Sequence, residues 1–424
     1  HVTAAKRGRN RKSQVRSTEK RIASPDRGCP LTMIKRDITK ELLDCCREYP
    51  VVTVLGPRQS GKTTLVRMTF PKLPYTSLED PDTRIAAEQD PRGFLDELPA
   101  GGIIDEVQRV PSLLSYIQGI VDDPEKECSF ILTGSHQPDL HEAISQSLAG
   151  RTAILTLYPF SCNELKKYKK KWDPFEIALK GSYPRLHEKG LAHARFFSGY
   201  IQTYIERDVR AIVNIKDLRE FQQFLRLLAG RVGQVVNYTS LSNDIGVSST
   251  TVKSWISVLK ASFIVYELPP YFRNIRKRVI KSPKIYFTDT GIVCSLLGIT
   301  TRDQLTRDPL RGNIYENLVI TEILKVIHNK GYTPRIYFYR DTHGNEVDLI
   351  MENKRELVPV EIKSASTFTP EFTAGINSFR ANTSLNIASS GFIVYNGPKS
   401  LTFKDNYVFN PFLHEDFTYL FKGT

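Results

Sequence analysis

Val51-Val52-Thr53-Val54-Leu55-Gly56-Pro57-Arg58-Gln59-Ser60-Gly61-Lys62-Thr63-Thr64 is the stretch on which the fold turns. Its first five residues are a short β-branched run, the pattern of a strand buried on both faces. The next eight fit G-x-x-x-x-G-K-[ST], and a helix start follows them. In that order, strand, loop and helix make a phosphate-binding loop. The glycines let backbone N–H groups wrap around phosphates, and the helix aims its N-terminal dipole at them. Lys62 is placed to reach the β- and γ-phosphates and Thr63 to offer a hydroxyl to Mg²⁺. Gly56, Pro57, Arg58, Gln59, Ser60, Gly61, Lys62, Thr63 and Thr64 are therefore the candidate ATP-binding residues.

Working outward, Gly102-Ile103-Ile104-Asp105-Glu106 supplies a short strand ending in two acids, about 40 residues on. At that spacing Asp105 is the candidate to hold Mg²⁺ through water, and Glu106 the general base that polarises the attacking water. A further strand, Ser129–Thr133, ends in Thr133-Gly134-Ser135. Thr133 and Ser135 are both candidates to orient that water; a plain strand-end turn is the alternative. Tyr75–Leu78 and Ala153–Leu157 complete the strand set, and residues 33–49 carry Ile34, Ile38, Leu42 and Leu43 at helical spacing. Strands alternating with helices predict a mainly parallel sheet covered on both faces, an α/β architecture.

This region resembles the AAA+ ATPases, in particular a bacterial and archaeal family that joins the ATPase to a winged helix and a nuclease-like C-terminal domain. The resemblance rests on Val54 to Thr64, on Ile104-Asp105-Glu106-Val107-Gln108, on Leu132 to Ser135 and on Ser147-Leu148-Ala149-Gly150-Arg151. It implies that Arg151 is an arginine finger reaching the γ-phosphate of a neighbouring subunit, and hence a ring or other oligomer. A salt-bridging surface arginine is the other reading of Arg151. Arg185, in Gly181-Ser182-Tyr183-Pro184-Arg185, is a weaker candidate for sensing nucleotide from a helical lid.

Residues 160–235 read as helical, with helices over Phe196–Val213 and Leu218–Leu228. Beyond them, Tyr238–Leu241, Ile245-Gly246-Val247 and Ser248–Leu259 read as helix, tight turn, helix. The hydroxyl residues Ser248 to Thr251 offer an N-cap, and Ile245, Val252, Ile256 and Leu259 an apolar face. The segment Arg273 to Lys284 then holds six basic residues (Arg273, Arg276, Lys277, Arg278, Lys281, Lys284) and no acid. A helix-turn-helix followed by a basic wing sets charge against DNA phosphates. Thr250, Thr251, Lys253, Arg276 and Lys277 are the expected contacts, although the same fold also serves as a protein-interaction module.

The last informative pair is Asn345-Glu346-Val347-Asp348-Leu349-Ile350 and Val358-Pro359-Val360-Glu361-Ile362-Lys363, on two adjacent predicted strands. Alternation puts Glu361 and Lys363 on one strand face, and Glu316 on the preceding helix is placed to face them. Carboxylates so grouped hold Mg²⁺, and a lysine beside them orients a water for phosphodiester attack. The set Glu316, Asp348, Glu361 and Lys363 resembles a PD-(D/E)XK nuclease core, with Glu316, Asp348 and Glu361 as metal ligands. The alternative is a carboxylate–lysine ion-pair network in a relative that binds DNA without cutting it.

Composition bounds these readings. A 424-residue chain with 40% hydrophobic and 25% charged residues fits two or three globular domains, with no apolar run of membrane-spanning length. The +13 net charge is uneven: residues 1–32 hold nine basic residues against Glu19 and Asp26, which marks a basic, disordered leader rather than a secretory signal. Six cysteines without C-x-x-C spacing predict reduced thiols, a cytoplasmic setting and no zinc site. The expected order is leader 1–32, AAA+ core 33–160, helical lid 161–235, winged helix 236–300 and a restriction-endonuclease-like α/β domain 301–424. The expected activity is ATP hydrolysis coupled to DNA binding or remodelling, with metal-dependent cleavage in addition. A nucleotide-switched scaffold for branched DNA or a protein partner is the alternative.

Overall fold

The computed structural model describes residues 34–123, 129–135, 138–168, 172–209, 217–271, 282–341, 344–354, 356–382 and 385–421. The expected leader, Cys29, Cys128 and the basic residues Arg273, Arg276, Lys277, Arg278 and Lys281 lie outside the described residues.

The first unit is a five-stranded sheet of β1 (Val51–Leu55), β2 (Tyr75–Ser77), β3 (Gly101–Asp105), β4 (Ser129–Gly134) and β5 (Thr152–Thr156). Their order is β2-β3-β4-β1-β5, with every pairing parallel. All of β1 is buried because both sheet faces are covered. Val51 and Leu55 join a core with Leu113, Phe130 and Leu148; Val52 and Val54 face the other way, against Ile38, Leu42 and Leu65. The order sets β4 between β1 and β3, so the end of β4 sits between the phosphate loop and the Asp105–Glu106 pair.

Two helix expectations change. The helix expected from residue 33 begins at Thr39, because Arg36 is tethered to three separate acceptors and holds residues 34–36 in irregular backbone. The helix expected over Phe196–Val213 is α-helical from His193 to Tyr200 and continues as π-helix over Ile201–Val209; residues 210–213 lie outside the described ones.

Helices Leu218–Ala229, Tyr238–Ile245 and Ser249–Ala261 precede β6 (Val265–Leu268) and β7 (Lys284–Phe287), an antiparallel pair. Ser248 caps the third of these helices by accepting from Thr251 N at 3.0 Å, and Ile245, Val252, Ile256 and Leu259 are buried as their spacing predicts. The C-terminal unit is a long helix, Arg311–Asn329, against a mixed six-stranded sheet. Its strands are β8 (Ile336–Arg340), β9 (Glu346–Asn353), β10 (Glu356–Lys363), β11 (Gly391–Tyr395), β12 (Leu401–Phe403) and β13 (Asn406–Phe409), in the order β12-β13-β11-β10-β9-β8.

The long helix is buried almost continuously from Ile314 to Ile327, which no surface helix would be. It is the centre of one core that includes Phe160 and Phe197 of the segment after β5, Trp255 of the helix-turn-helix, and Val360 and Leu420 of the C-terminal unit. The three regions after β5 are therefore packed as one body.

Candidate functional site

Two polar sites emerge, one at each end of this arrangement. The first is a cleft of about 500 Å³ at the carboxyl ends of β1 and β3. It is lined by Gln59, Gly61, Lys62, Thr63, Thr64 and Glu106, and from outside the sheet by Arg36, Phe160 and Arg185. Gly56 has φ +156°, and a Cβ there would sit 2.1 Å from the Leu157 carbonyl oxygen, so only glycine lets the loop pass β5. Gln59 (φ +62°) and Glu106 (φ +58°) adopt left-handed backbone that costs non-glycine residues about 1–3 kcal/mol, and both line the cleft.

Lys62 is buried, its Nζ donating to the Gly56 and Pro57 carbonyls at 3.1 and 2.9 Å. Burial pulls its pKa down from 10.5 to about 8, against the opposing pull of Glu106 and Asp105. Thr63 Oγ1 donates to Asp105 Oδ2 at 2.9 Å, Tyr75 OH donates to the same oxygen at 2.8 Å, and Thr133 Oγ1 donates to Asp105 Oδ1. Of the two candidates at the end of β4, Thr133 therefore faces Asp105, while Ser135 is buried with an unpartnered hydroxyl. Gln108 Nε2 donates to Glu106 and fixes its carboxylate.

Arg36, Glu164 and Tyr75 were not candidates on sequence. Arg36 donates to Ser60 O in the phosphate loop at 2.9 Å, to Tyr158 O at 2.6 Å and to Glu164 Oε1 at 2.9 Å, and stacks over Phe160 at 5.0 Å. At helical spacing it falls opposite Ile34 and Ile38, where a charge reads as solvated. Arg185, the weaker candidate, lines the cleft. Arg151 does not reach the cleft of its own chain. It is held by Asp122 through two nitrogens, Nε at 2.5 Å and Nη2 at 2.9 Å.

The second site is in the C-terminal unit. The structure brings Glu316, Asp348, Glu361 and Lys363 together: Lys363 Nζ lies 2.6 Å from Glu361 Oε2 and 3.4 Å from Asp348 Oδ2, and Ile362 N donates to Asp348 Oδ2 at 2.8 Å. Lys284, expected on a basic wing, is instead buried at the start of β7, ion-paired to Glu316 at 3.1 Å and to Glu346. All of β7 is buried, Lys284 included, which a count of basic residues could not reveal. Burial lowers the pKa of Lys284 but Glu316, Asp348 and Glu346 together hold it above the ordinary value. Burial lifts Glu316 to about 7 against the pull of Lys284, and burial with the neighbouring Asp348 charge lifts Glu361 well above the carboxylate range. Asp348 stays low: Lys363 and Lys284 outweigh its burial. Among the described residues, no three His, Cys, Asp or Glu side chains are grouped as metal ligands. The residues of the expected metal set are present and adjacent, yet each carboxylate faces an ammonium; the fit to a metal is poor.

On the helix-turn-helix, Thr250 and Lys253 are exposed, whereas Thr251 is half-buried and engaged in the cap with Ser248. The four described cysteines are free thiols. No helix among the described residues is long and apolar enough to cross a membrane.

Comparison with known proteins finds an AAA domain over the region of the first site and a domain of unknown function over the second. Residues 48–166 match an AAA domain, 171–303 a domain of unknown function (DUF8612) and 311–413 another (DUF4143). The uncharacterized protein Rv2008c of Mycobacterium tuberculosis is 31% identical over 386 residues, 89% of this chain and 83% of that protein; Mb2031c of Mycobacterium bovis gives the same figures. An uncharacterized protein of Haemophilus influenzae is 21% identical over 275 residues, 61% of this chain and 64% of that protein. The Walker-type ATPase PABY2304 of Pyrococcus abyssi aligns at a TM-score of 0.40 and 17% identity, over 61% of this chain and 94% of that one, too loose a likeness to argue from. The chain belongs to the family of the mycobacterial proteins Rv2008c and Mb2031c, and its residues 48–166 are an AAA-type ATPase domain.

Proposed function

We propose that this protein hydrolyses ATP and passes the state of its nucleotide cleft to a DNA-binding C-terminal half. The observation that carries the coupling is the long helix Arg311–Asn329. It bears Glu316 of the second site and, about 9 Å further along its axis, Glu322, which accepts from Cys162 N at 2.5 Å. One turn on, Lys325 donates to Glu322 at 2.7 Å, to Phe160 O at 3.0 Å and to Ser182 Oγ at 3.2 Å. From there, Ser161 N reaches Glu164 at 2.8 Å, Glu164 holds Arg36, and Arg36 holds Ser60. Every joint is a buried charge or charge-assisted hydrogen bond, so a shift of the phosphate loop meets a rigid train rather than a flexible linker.

In the cleft, Lys62 and the loop amides bind the phosphates, and Glu106 orients and deprotonates the attacking water. Thr63 and Asp105, adjacent hard-oxygen groups, are suited to hold Mg²⁺, which supplies charge neutralisation on the phosphates when bound. Arg151 serves a neighbouring subunit as arginine finger once released from Asp122. The helices Leu218–Ala229, Tyr238–Ile245 and Ser249–Ala261 with β6 and β7 act as a winged helix whose exposed Thr250 and Lys253 face DNA. The test is ATPase activity of wild type and Lys62→Ala with and without DNA, together with DNA binding. If DNA neither binds nor changes the hydrolysis rate, the coupling reading fails.

A second reading, a nucleotide-switched scaffold that does not cut, is favoured by the lysine pairing of Glu316, Glu346, Asp348 and Glu361. Incubation with Mg²⁺ or Mn²⁺ and linear, single-stranded or branched DNA separates the two. Cutting that Glu361→Ala abolishes would eliminate the scaffold.

A further inference from the structure

The carboxylate cluster of the C-terminal unit draws its charge from four places: Glu316 on the long helix, Glu346 and Asp348 on β9, and Glu361 on β10. Lys363 serves Asp348 and Glu361, while Lys284 arrives from β7, outside the helix-and-sheet unit, and serves Glu316 and Glu346. We propose that Lys284 is the resident cation of this cluster, an ammonium standing where the nuclease resemblance puts a divalent metal ion, and that the cluster as built binds no such metal.

Three observations carry this. The Lys284 side chain is 4% exposed, and its Nζ lies 3.1 Å from Glu316 Oε1, so the ammonium is inside the cluster and not at its rim. Tyr286 OH donates to that same Glu316 oxygen and Ile362 N to Asp348 Oδ2, so protein donors already compete for these carboxylate oxygens. Phe338 lies beside Lys284, with the ring centre 5.6 Å from Nζ, and the antiparallel pairing of β6 with β7 fixes the backbone from which the side chain projects. A divalent ion takes several carboxylate or carbonyl oxygens at once. To enter here it has to expel a buried ammonium from its counter-ions, and a charge stripped of its partner in the interior is strongly unfavourable. Deleting the ammonium reverses the balance: four carboxylates facing one lysine become a cation site. The proposal does not depend on the nucleotide reading, because none of these groups lines the ATP cleft.

Binding of Mn²⁺ alone to the nucleotide-free full chain tests it, read from the loss of the free-ion paramagnetic signal. Because Thr63 and Asp105 are the competing hard-oxygen pair, every chain carries Asp105→Asn. Lys284→Met is expected to bind Mn²⁺ at least tenfold more tightly than its parent, with the gain lost on adding Glu316→Gln. Equal or weaker binding by a folded Lys284→Met overturns the proposal. Should that variant fail to fold, thermal unfolding of the parent with and without Mn²⁺ decides. An unchanged midpoint supports the resident lysine, and a midpoint raised by Mn²⁺ and restored by Glu361→Gln refutes it.

Discussion

Each of the two sites is built around a buried lysine, and the lysines are in opposite states. Lys62 rests on two backbone carbonyls, with Asp105 and Glu106 near but not bonded to it, and its pKa falls to about 8. Lys284 is clasped by two carboxylates and its pKa rises. Desolvation acts on both; what differs is whether the chain supplies the counter-charge. A buried ammonium left on neutral acceptors is a site waiting for an anion, and the phosphate loop is that site. A buried ammonium already matched by carboxylates is closed. The same residue type, equally buried, thus marks a binding site in one place and a sealed ion pair in the other.

Removing each lysine sharpens the contrast. Lys62→Ala should lower ATP turnover by at least 10²-fold, the scale of losing one preorganised electrostatic contact, with the fold intact by circular dichroism. Glu106→Gln should lower turnover by about 10²–10⁴-fold while nucleotide still binds, measured by fluorescent-nucleotide titration; loss of binding instead would remove Glu106 from the role of base.

The joint between the regions gives the largest stability effect. Glu322 is fully buried and Lys325 nearly so, so Lys325→Met leaves an uncompensated carboxylate and should cost about 3–5 kcal/mol in urea unfolding. The paired change Glu322→Gln with Lys325→Met should recover part of that loss. If the single change is silent, the train from cleft to long helix is not under load.

Acidity separates the two lysines without mutation. Lys62 receives phosphate as an ammonium, and its empty-site pKa is about 8. Below pH 8 the lysine proton is in place; above it binding must take up a proton, so ATP affinity should fall as pH rises, approaching about tenfold per pH unit, until the higher pKa of the phosphate-bound lysine is reached. Isothermal titration in two buffers of different ionisation heat reports that uptake directly. The smallest effect on stability is expected at Arg151: its pair with Asp122 is screened by solvent, so breaking it should leave the urea-unfolding midpoint nearly unchanged. A large loss of turnover in Arg151→Ala, rescued by mixing with Lys62→Ala chains, would mark it as a finger acting across subunits.

The nucleotide cleft was legible in the sequence because its parts are local. A loop that wraps phosphates must be contiguous, so the strand over Val51–Leu55 has the bounds its residues imply and the helix opens at Lys62, inside the motif, and Asp105 and Glu106 lie at a strand end set by a short apolar run. Glu361 and Lys363 were legible for the same reason, since β alternation fixes that they share a face. What sequence could not supply were partners from distant elements. Arg36 meets Glu164 across 128 positions, Lys325 meets Phe160 across 165, and Lys284 meets Glu316 across 32 with the whole long-helix approach between them. A charged residue reads as a solvated face until tertiary packing buries it, because nothing in its neighbours' periodicity reports a counter-ion elsewhere in the chain. The ATPase sheet and the chemistry of its loop follow from the residue order alone. That Arg36 holds the loop, that one buried helix spans the distance to the C-terminal cluster, and that Lys284 sits within it follow from packing between distant segments. Local chemistry follows from contiguity; the pairing of buried charges follows from where the chain returns.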